Sequence, residues 1–142
     1  FGLTFESSSR YCGKVVYKQI KDKYNYKDFE TCYSDRINHR QEWYQIICEY
    51  NNPDKGRLGK ELLNEFDIYC GIRDKDEMEA VLSSGIVDLV IWVDASERLG
   101  FTEDTKSMNI NKNDCDIVIL NNGTLKEFET KVLQLFNSLL GY

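Results

Sequence analysis

The sequence predicts an α/β protein built around a parallel β-sheet. Three short apolar runs support this prediction, because each is followed by a turn or by a helix-start signal. The runs are residues 67–72, 88–93 and 116–120. Continuous apolar runs are typical of parallel strands, which are covered on both faces. The order strand, helix, strand, loop, strand, helix is therefore typical of a parallel α/β sheet.

The composition indicates one globular domain and excludes several classes of protein. The chain has 142 residues, of which 42% are hydrophobic, enough for one compact core. A net charge of −6 argues against nucleic acid or an anionic membrane as the main partner. No apolar stretch is long enough to span a bilayer. Five dispersed cysteines and a single histidine favour a reduced, cytoplasmic protein without a zinc site.

The N-terminal half is predicted to be mostly helical. Residues 3–5 form a short edge strand, and residues 9–23 form a helix with Val16 and Ile20 facing inward. Residues 34–50 form a second helix with a buried aromatic face. The sequence Asn-Pro-Asp at 52–54 starts a third helix, because Asn is a good cap and Pro suits the first turn.

The C-terminal half contains two capping-box patterns. Asp74 and Glu77 have this spacing at the start of a predicted helix, and Thr124 and Glu127 have it at the start of the last one. Apolar residues then recur every three or four positions up to Gly141, which ends the helix. Residues 99–113 form a polar connection longer than most, and such loops often close over active sites, although disorder is the usual alternative.

Arg36, His39 and Arg40 are spaced by three and four, so a helix would place them on one face, with Trp43 continuing the same stripe. Two guanidinium groups on one face can form a fork for a phosphate oxyanion. A solvated basic face paired with neighbouring acidic residues would have the same pattern. The sequence leaves both interpretations open.

Polar residues also follow each predicted strand, at the end where α/β sheets bind ligands. Arg73 follows the first strand, and its alternative role is an ion pair with nearby acidic residues. Asp94 follows the second strand and could orient a metal-bound water or a substrate hydroxyl, or simply cap a helix. Asn122 and Gly123 follow the third, where the pattern fits either a close backbone approach to a ligand or an ordinary turn.

Taken in order, these motifs resemble the phage-type deoxynucleoside monophosphate kinases, and the last block is also similar to dephospho-CoA kinases. The resemblance extends over nearly the whole chain. The motifs are SSS at 7–9, DRINHRQEW at 35–43, DIYCGIR at 67–73, VIWVDASER at 90–98 and DIVILNNGTL at 116–125.

The resemblance implies a three-layer parallel sheet of the P-loop nucleotide-kinase type, with an acceptor-binding helical part at about 7–66, a sheet core at 67–142 and a lid at 99–113. It also implies transfer of the γ-phosphoryl group of ATP to a deoxynucleoside monophosphate with Mg²⁺. For the acceptor, the resemblance implies that its monophosphate is held by Arg36, Arg40 and Arg73 and that its base or sugar pocket is shaped by Asn38, His39 and Trp43. For the donor, it implies that Arg98 faces the transferred group, with Asp94 nearby. Asn122 and Gly123 would lie beside the adenine of ATP.

One part of the family pattern is missing. No GxxxxGK[ST] motif occurs, and Ser9-Arg-Tyr-Cys-Gly-Lys14 lacks its first glycine and its final hydroxyl. In the family, the strand before this motif lies in the middle of the sheet, between the strands at 67–72 and 88–93. We therefore expect either a longer protein that carries a P-loop or a nucleotide-binding or interaction module without kinase activity. The expected partners are a nucleoside monophosphate and ATP, with a homodimer left open.

Overall fold

The computed structural model describes residues 1–100 and 108–141, which belong to two compact units, Phe1–Ile86 and Val87–Tyr142. The fold is mixed α/β with parallel strands, as the sequence predicts. In the first unit, β1 (Phe5–Ser7) pairs with β2 (Ile68–Cys70). In the second unit, β3 (Ile91–Asp94) pairs with β4 (Ile117–Leu120). The described strands therefore form two separate two-stranded sheets.

The first unit is mostly helical. Its helices are α1 (Ser8–Ile20), α2 (Phe29–Asp35), α3 (Arg40–Tyr50), α4 (Arg57–Glu65) and α5 (Lys75–Leu82). Side chains cap three of them: Ser7 accepts a bond from the Arg10 backbone N–H, Asp28 from that of Thr31, and Asp74 from that of Glu77.

The single helix predicted over residues 34–50 is wrong. A 3₁₀ turn at Arg36–His39 separates α2 from α3. Asp35 explains the break, because its carboxylate accepts hydrogen bonds from the side chains of Asn38 and Tyr26. Such local side-chain bonds favour a turn over a continuous helix.

The helix start predicted at residues 52–54 is also wrong, since α4 begins at Arg57 with Gly56 as its N-cap. The segment before it is a turn held by side chains. Asn51 Oδ1 accepts a 3.1 Å bond from the Leu58 N–H, and Asp54 Oδ1 accepts a 3.0 Å bond from the Gly56 N–H. These two side chains thus accept bonds from backbone N–H groups at the start of α4, which a capping residue would otherwise bind.

Helix α1 is the centre of the first unit, because it contributes to both hydrophobic clusters. Val16 and Ile20 pack with residues of α2 and α3, and Tyr11 packs with Leu58 and Leu62 of α4. The same helix starts directly after β1. Its N-terminal turn therefore lies at the edge where β1 and β2 end, and the Ser8 hydroxyl donates a 3.1 Å bond there to the Gly71 carbonyl.

The second unit contains β3, a short helix α6 (Ser96–Leu99), a 3₁₀ turn (Lys112–Asp114), β4 and α7 (Leu125–Leu140). The predicted last helix is confirmed. Thr124 and Glu127 form the capping box, and Gly141 ends the helix at φ 74°. Within the lid predicted at 99–113, residues 101–107 lie outside the described residues. In the part of the chain that the structure covers, no helix is both long and apolar enough to cross a membrane.

Candidate functional site

The first group of candidate residues surrounds the carboxyl ends of β1 and β2. Ser7 ends β1 and caps α1, Ser8 and Ser9 form the start of α1, and Gly71 and Arg73 follow β2. Gly71 has φ +94°, and a Cβ at this position would lie 3.2 Å from Ser8 Oγ. The left-handed backbone thus lets the two chain segments approach each other closely. This arrangement brings the predicted Arg73 to the edge that also carries the three serines.

Tyr33 of α2 connects this edge to two arginines. A 3.0 Å hydrogen bond joins the hydroxyls of Tyr33 and Ser9. The guanidinium carbon of Arg36 lies 4.0 Å from the centre of the Tyr33 ring, and that of Arg10 lies 5.4 Å from it. Arg36 also donates a 2.7 Å bond to the Tyr33 carbonyl. Two guanidinium groups are therefore held beside one aromatic ring.

Arg10 has further partners in this cluster. Its guanidinium donates to both carboxylate oxygens of Glu30, and it lies 5.1 Å from the centre of the Phe29 ring. The rings of Phe29 and Tyr33 stack at 25° with their centres 5.7 Å apart. Arg10, Phe29, Tyr33 and Arg36 thus form a half-exposed surface of aromatic rings and positive charges, which we call the arginine–aromatic cluster.

Trp43 closes this cluster from the core side. Its ring centre lies 6.2 Å from that of Tyr33, and only 8% of the residue is exposed. Gly13 makes this packing possible, since a Cβ there would lie within 3.2 Å of Phe29, Tyr33 and Trp43. Trp43 Nε1 is buried and has no hydrogen-bond partner among the described residues. An unpaired buried donor of this kind costs about 1–3 kcal/mol.

Asn38 and His39 lie in a separate network around Asp35. Asn38 Nδ2 donates a 2.6 Å bond to Asp35 Oδ1, and His39 Nε2 lies 3.0 Å from Asp35 Oδ2. The Tyr26 hydroxyl donates to the same carboxylate. Hydrogen bonds from Tyr26 and Asn38, with the nearby imidazole, hold the pKa of Asp35 below its usual value. Two of the three residues predicted for the base or sugar pocket, Asn38 and His39, are thus anchored by one ionised aspartate.

Arg40 and Arg73 differ from Arg36 in their environment. Both are exposed, and neither forms a hydrogen bond or an ion pair with the described part of the chain. The helical face predicted to align Arg36, His39 and Arg40 is absent, because the first two lie in the 3₁₀ turn and Arg40 begins α3. Arg40 and Arg73 keep all their donors available for an anion.

The second group of candidate residues follows the carboxyl ends of β3 and β4. Arg98 Nε donates a 3.2 Å bond to the Asn121 carbonyl, and the Asn121 N–H donates a 2.7 Å bond to the Asp94 carbonyl. Asp94 Oδ1 accepts a 2.9 Å bond from the Ser96 N–H. Bonds from Ser96 lower the pKa of Asp94, so this carboxylate is ionised at neutral pH. The structure therefore brings Asp94, Arg98 and the Asn121–Asn122 turn together.

Asn122 and Gly123 have different roles in this turn. Asn122 Oδ1 is buried and has no hydrogen-bond partner within residues 1–100 and 108–141. A Cβ on Gly123 would lie 2.2 Å from Glu127 Oε2, which belongs to the capping box of α7. The glycine is therefore explained by the turn itself, whereas the amide of Asn122 retains an unused acceptor.

A half-buried polar cluster between α1, β2 and α5 was not predicted. Glu77 accepts a 2.7 Å bond from the Tyr69 hydroxyl, so it does not complete the capping box with the Asp74 N–H. Burial raises the pKa of Glu77, and burial with the nearby Glu77 charge raises the pKa of Cys12 to about 12. The Cys12 thiol is thus protonated and unreactive at neutral pH.

Sequence reasoning missed Arg10, Tyr33 and Glu30. The spacing of three between Tyr33 and Arg36 was a usable signal, because such residues meet on a helical turn. The pairing of Arg10 with Glu30 had no sequence signal, since it depends on how α1 packs against α2.

The described residues contain no group of three or more His, Cys, Asp or Glu side chains that could hold a metal ion. Comparisons with known proteins add no further assignment: no family model, curated protein or solved structure matches the chain.

Proposed function

We propose that the protein is a deoxynucleoside monophosphate kinase, which transfers the γ-phosphoryl group of ATP to the acceptor nucleotide. One observation carries the proposal: basic or amide side chains follow the carboxyl ends of all four strands, where α/β sheets bind their ligands. These residues are Arg10, Arg73, Arg98 and Asn122, which follow β1, β2, β3 and β4 respectively. Their presence in an acidic chain favours anionic ligands over a general basic surface.

The first unit is proposed to bind the acceptor. Arg36 and Arg73, with Arg40, would hold its monophosphate, since guanidinium groups bind phosphate oxygens bidentately and remain charged. The exposure of these side chains and the free donors of Arg40 and Arg73 support this role. Asn38, His39 and Trp43 would contribute to the base or sugar pocket.

The second unit is proposed to bind the donor. The amide of Asn122 fits an adenine base, because its unpaired Oδ1 can accept a hydrogen bond from an exocyclic amino group. Gly123 would lie beside the same base, and Arg98 would offer a positive charge to the transferred group. Asp94 fits a Mg²⁺ role, since this ion is usually bound through one or two carboxylates and the substrate phosphates. Bound Mg²⁺ would supply charge neutralisation on the phosphates.

The proposal includes the finer fold assignment, a three-layer P-loop kinase sheet, which rests on the order of the sequence motifs. Within the described residues, β2 pairs with β1 and β3 pairs with β4, in two separate sheets.

The proposal is tested with the protein purified with its natural N-terminus. ADP release is measured with ATP, Mg²⁺ and each of dAMP, dCMP, dGMP and dTMP. Calorimetry measures binding of the same monophosphates. Arg36→Ala and Arg73→Ala are each expected to weaken monophosphate binding about 10- to 100-fold, the cost of a charged hydrogen bond. Arg57→Ala is the matched control, because Arg57 is an exposed arginine paired with Glu61.

Turnover with at least one monophosphate supports the kinase assignment, and its absence with all four contradicts it. Binding of a monophosphate without turnover and without ATP binding would instead indicate a nucleotide-binding module. Failure to bind any nucleotide would indicate a structural protein that uses the same fold.

A further inference from the structure

The arginine–aromatic cluster contains two arginines, of which only Arg36 has so far been assigned to the acceptor. Both guanidinium carbons lie within 5.4 Å of the centre of the Tyr33 ring. Both guanidinium groups therefore border the same aromatic ring. Bidentate contacts from two arginines are a strong way of holding a phosphate.

Arg10 has the exposure and the free donors that such a contact needs. Its side chain is 39% exposed. Two of its N–H groups donate to the Glu30 carboxylate, and the others have no partner among the described residues. Because the Glu30 carboxylate occupies this side of the guanidinium, a phosphate would bind through the remaining N–H groups of Arg10 or displace Glu30.

Tyr33 holds both arginines by interactions of different kinds. Its ring packs against the two guanidinium groups, and cations are attracted to the face of an aromatic ring. Its carbonyl accepts the 2.7 Å bond from Arg36, and its hydroxyl bonds to Ser9. Fixing a long arginine side chain before the ligand arrives removes an entropy cost from binding.

We infer that Arg10 is a further binding residue for the 5′-monophosphate of the acceptor and that Tyr33 is the residue that positions Arg10 and Arg36. The inference rests on the proposed function, because it extends the same acceptor site. The ligand class is a nucleoside monophosphate: the phosphate would meet the two guanidinium groups, and the Phe29–Tyr33 pair offers an aromatic surface beside them.

The test uses calorimetry with dAMP, dCMP, dGMP and dTMP and with the four matching nucleosides. Arg10→Ala is expected to weaken monophosphate binding about 10- to 100-fold and to leave nucleoside binding unchanged. Arg10→Lys keeps the charge but not the fork, so it is expected to recover only part of the loss. Arg57→Ala again serves as the matched control.

Tyr33→Phe and Tyr33→Leu test positioning. Tyr33→Phe keeps the ring and the backbone carbonyl, so it is expected to bind monophosphates within about threefold of the wild type. Tyr33→Leu removes the ring and is expected to weaken binding at least as much as Arg10→Ala does. In the Tyr33→Leu protein, the further change Arg10→Ala should then weaken monophosphate binding much less than it does in the wild type, because the two changes remove the same contact.

The outcomes separate this inference from the proposed function. Suppose that the wild type binds monophosphates and that Arg36→Ala weakens this binding while Arg10→Ala does not. The inference is then wrong and the acceptor assignment stands. Equal losses for nucleosides and monophosphates, or full additivity in the double variant, would overturn the positioning role of Tyr33. If the wild type binds no monophosphate, both proposals fall. Should Tyr33→Leu not fold, as judged by circular dichroism, the two Arg10 variants still decide the role of Arg10, and a loss of more than about threefold in Tyr33→Phe would contradict positioning by the ring.

Discussion

The two units share a parallel strand pair but bury their apolar side chains very differently. In the first unit, helices α1, α3, α4 and α5 each bury at least two residues. In the second unit, the 16-residue α7 buries none, and the buried apolar residues among those described are Ile110 and Ile119. Val93 and Val118 of β3 and β4 remain 48% and 42% exposed.

The comparison teaches that an amphipathic sequence does not guarantee a core. Parallel strands are normally covered on both faces, and a strand pair alone is marginal. The first unit meets this requirement with helices from its own sequence. The second has the apolar strands and the apolar helix face but leaves much of both exposed. We therefore expect the stability of the fold to depend mainly on the first unit.

The largest expected effect is seen when one leucine in each unit is replaced by alanine and the two losses of stability are compared. Leu62→Ala removes a fully buried side chain of α4 and should lower the free energy of unfolding by about 2–5 kcal/mol. Leu133→Ala, in α7, removes a side chain that is 52% exposed and should change it by less than about 1 kcal/mol. Urea unfolding followed by circular dichroism measures both. Equal losses would contradict the comparison.

A smaller effect is expected from adding a methyl group to a glycine in each unit. In Gly59→Ala the new Cβ would lie 2.7 Å from Val81 Cγ2, so the packing of α4 on α5 must shift at a cost of about 1–3 kcal/mol. In Gly141→Ala the Cβ meets nothing within 4 Å, and only the left-handed backbone at φ +74° costs energy, about 1 kcal/mol. The same unfolding assay applies. A Gly59→Ala protein as stable as the wild type would show that α4 and α5 are loosely packed.

The smallest expected effects are pH-dependent and have opposite signs in the two units. Bonds from Thr124 lower the pKa of Glu127, so its stabilising contribution is complete above the ordinary glutamate pKa and is lost as pH falls through the lowered value. Glu127→Gln should therefore destabilise the protein at pH 7, and its difference from the wild type should vanish in acid.

Burial raises the pKa of Glu77, so its charge costs stability at neutral pH, and protonation removes that cost as pH falls through the raised value. Glu77→Gln should stabilise the protein at pH 7, because glutamine can still accept the Tyr69 hydroxyl bond. This difference should also vanish in acid. Free energies of unfolding measured from pH 7 down to acid test both variants. If both substitutions change the free energy of unfolding in the same direction at pH 7, the direction of the pKa shift assigned to one of the two carboxylates is wrong.

The success of each sequence prediction depended on the range of the interactions involved. The last helix was predicted accurately because its end signals are local: Thr124 and Glu127 are three residues apart at its start, and Gly141 acts on the turn that ends it. The strand type and order were also confirmed, although β2 and β3 are shorter than the predicted runs. The helix over 34–50 failed because Asp35 is bonded by Tyr26, which approaches from an earlier loop.

The same distinction applies to the candidate site. Once the strands were predicted, the sequence alone was enough to place Arg73, Asp94 and Asn122 at strand ends. The structure also has them there. Arg10 and Glu30 meet only because α1 packs against α2, and their sequence separation hides the pair. The nucleotide chemistry assigned to these residues stays a proposal until the binding experiments are done.

The sequence by itself determined the class of fold, the order of its strands along the chain and the helix caps at Asp74 and Thr124, because these follow from local propensity and short-range hydrogen bonds. Only the tertiary structure decided which side chains are buried and which arginines share one aromatic ring. Those outcomes depend on contacts between distant segments, such as Gly13 of α1 against Tyr33 of α2. Packing geometry of this kind is set by the whole unit and by no single stretch of sequence.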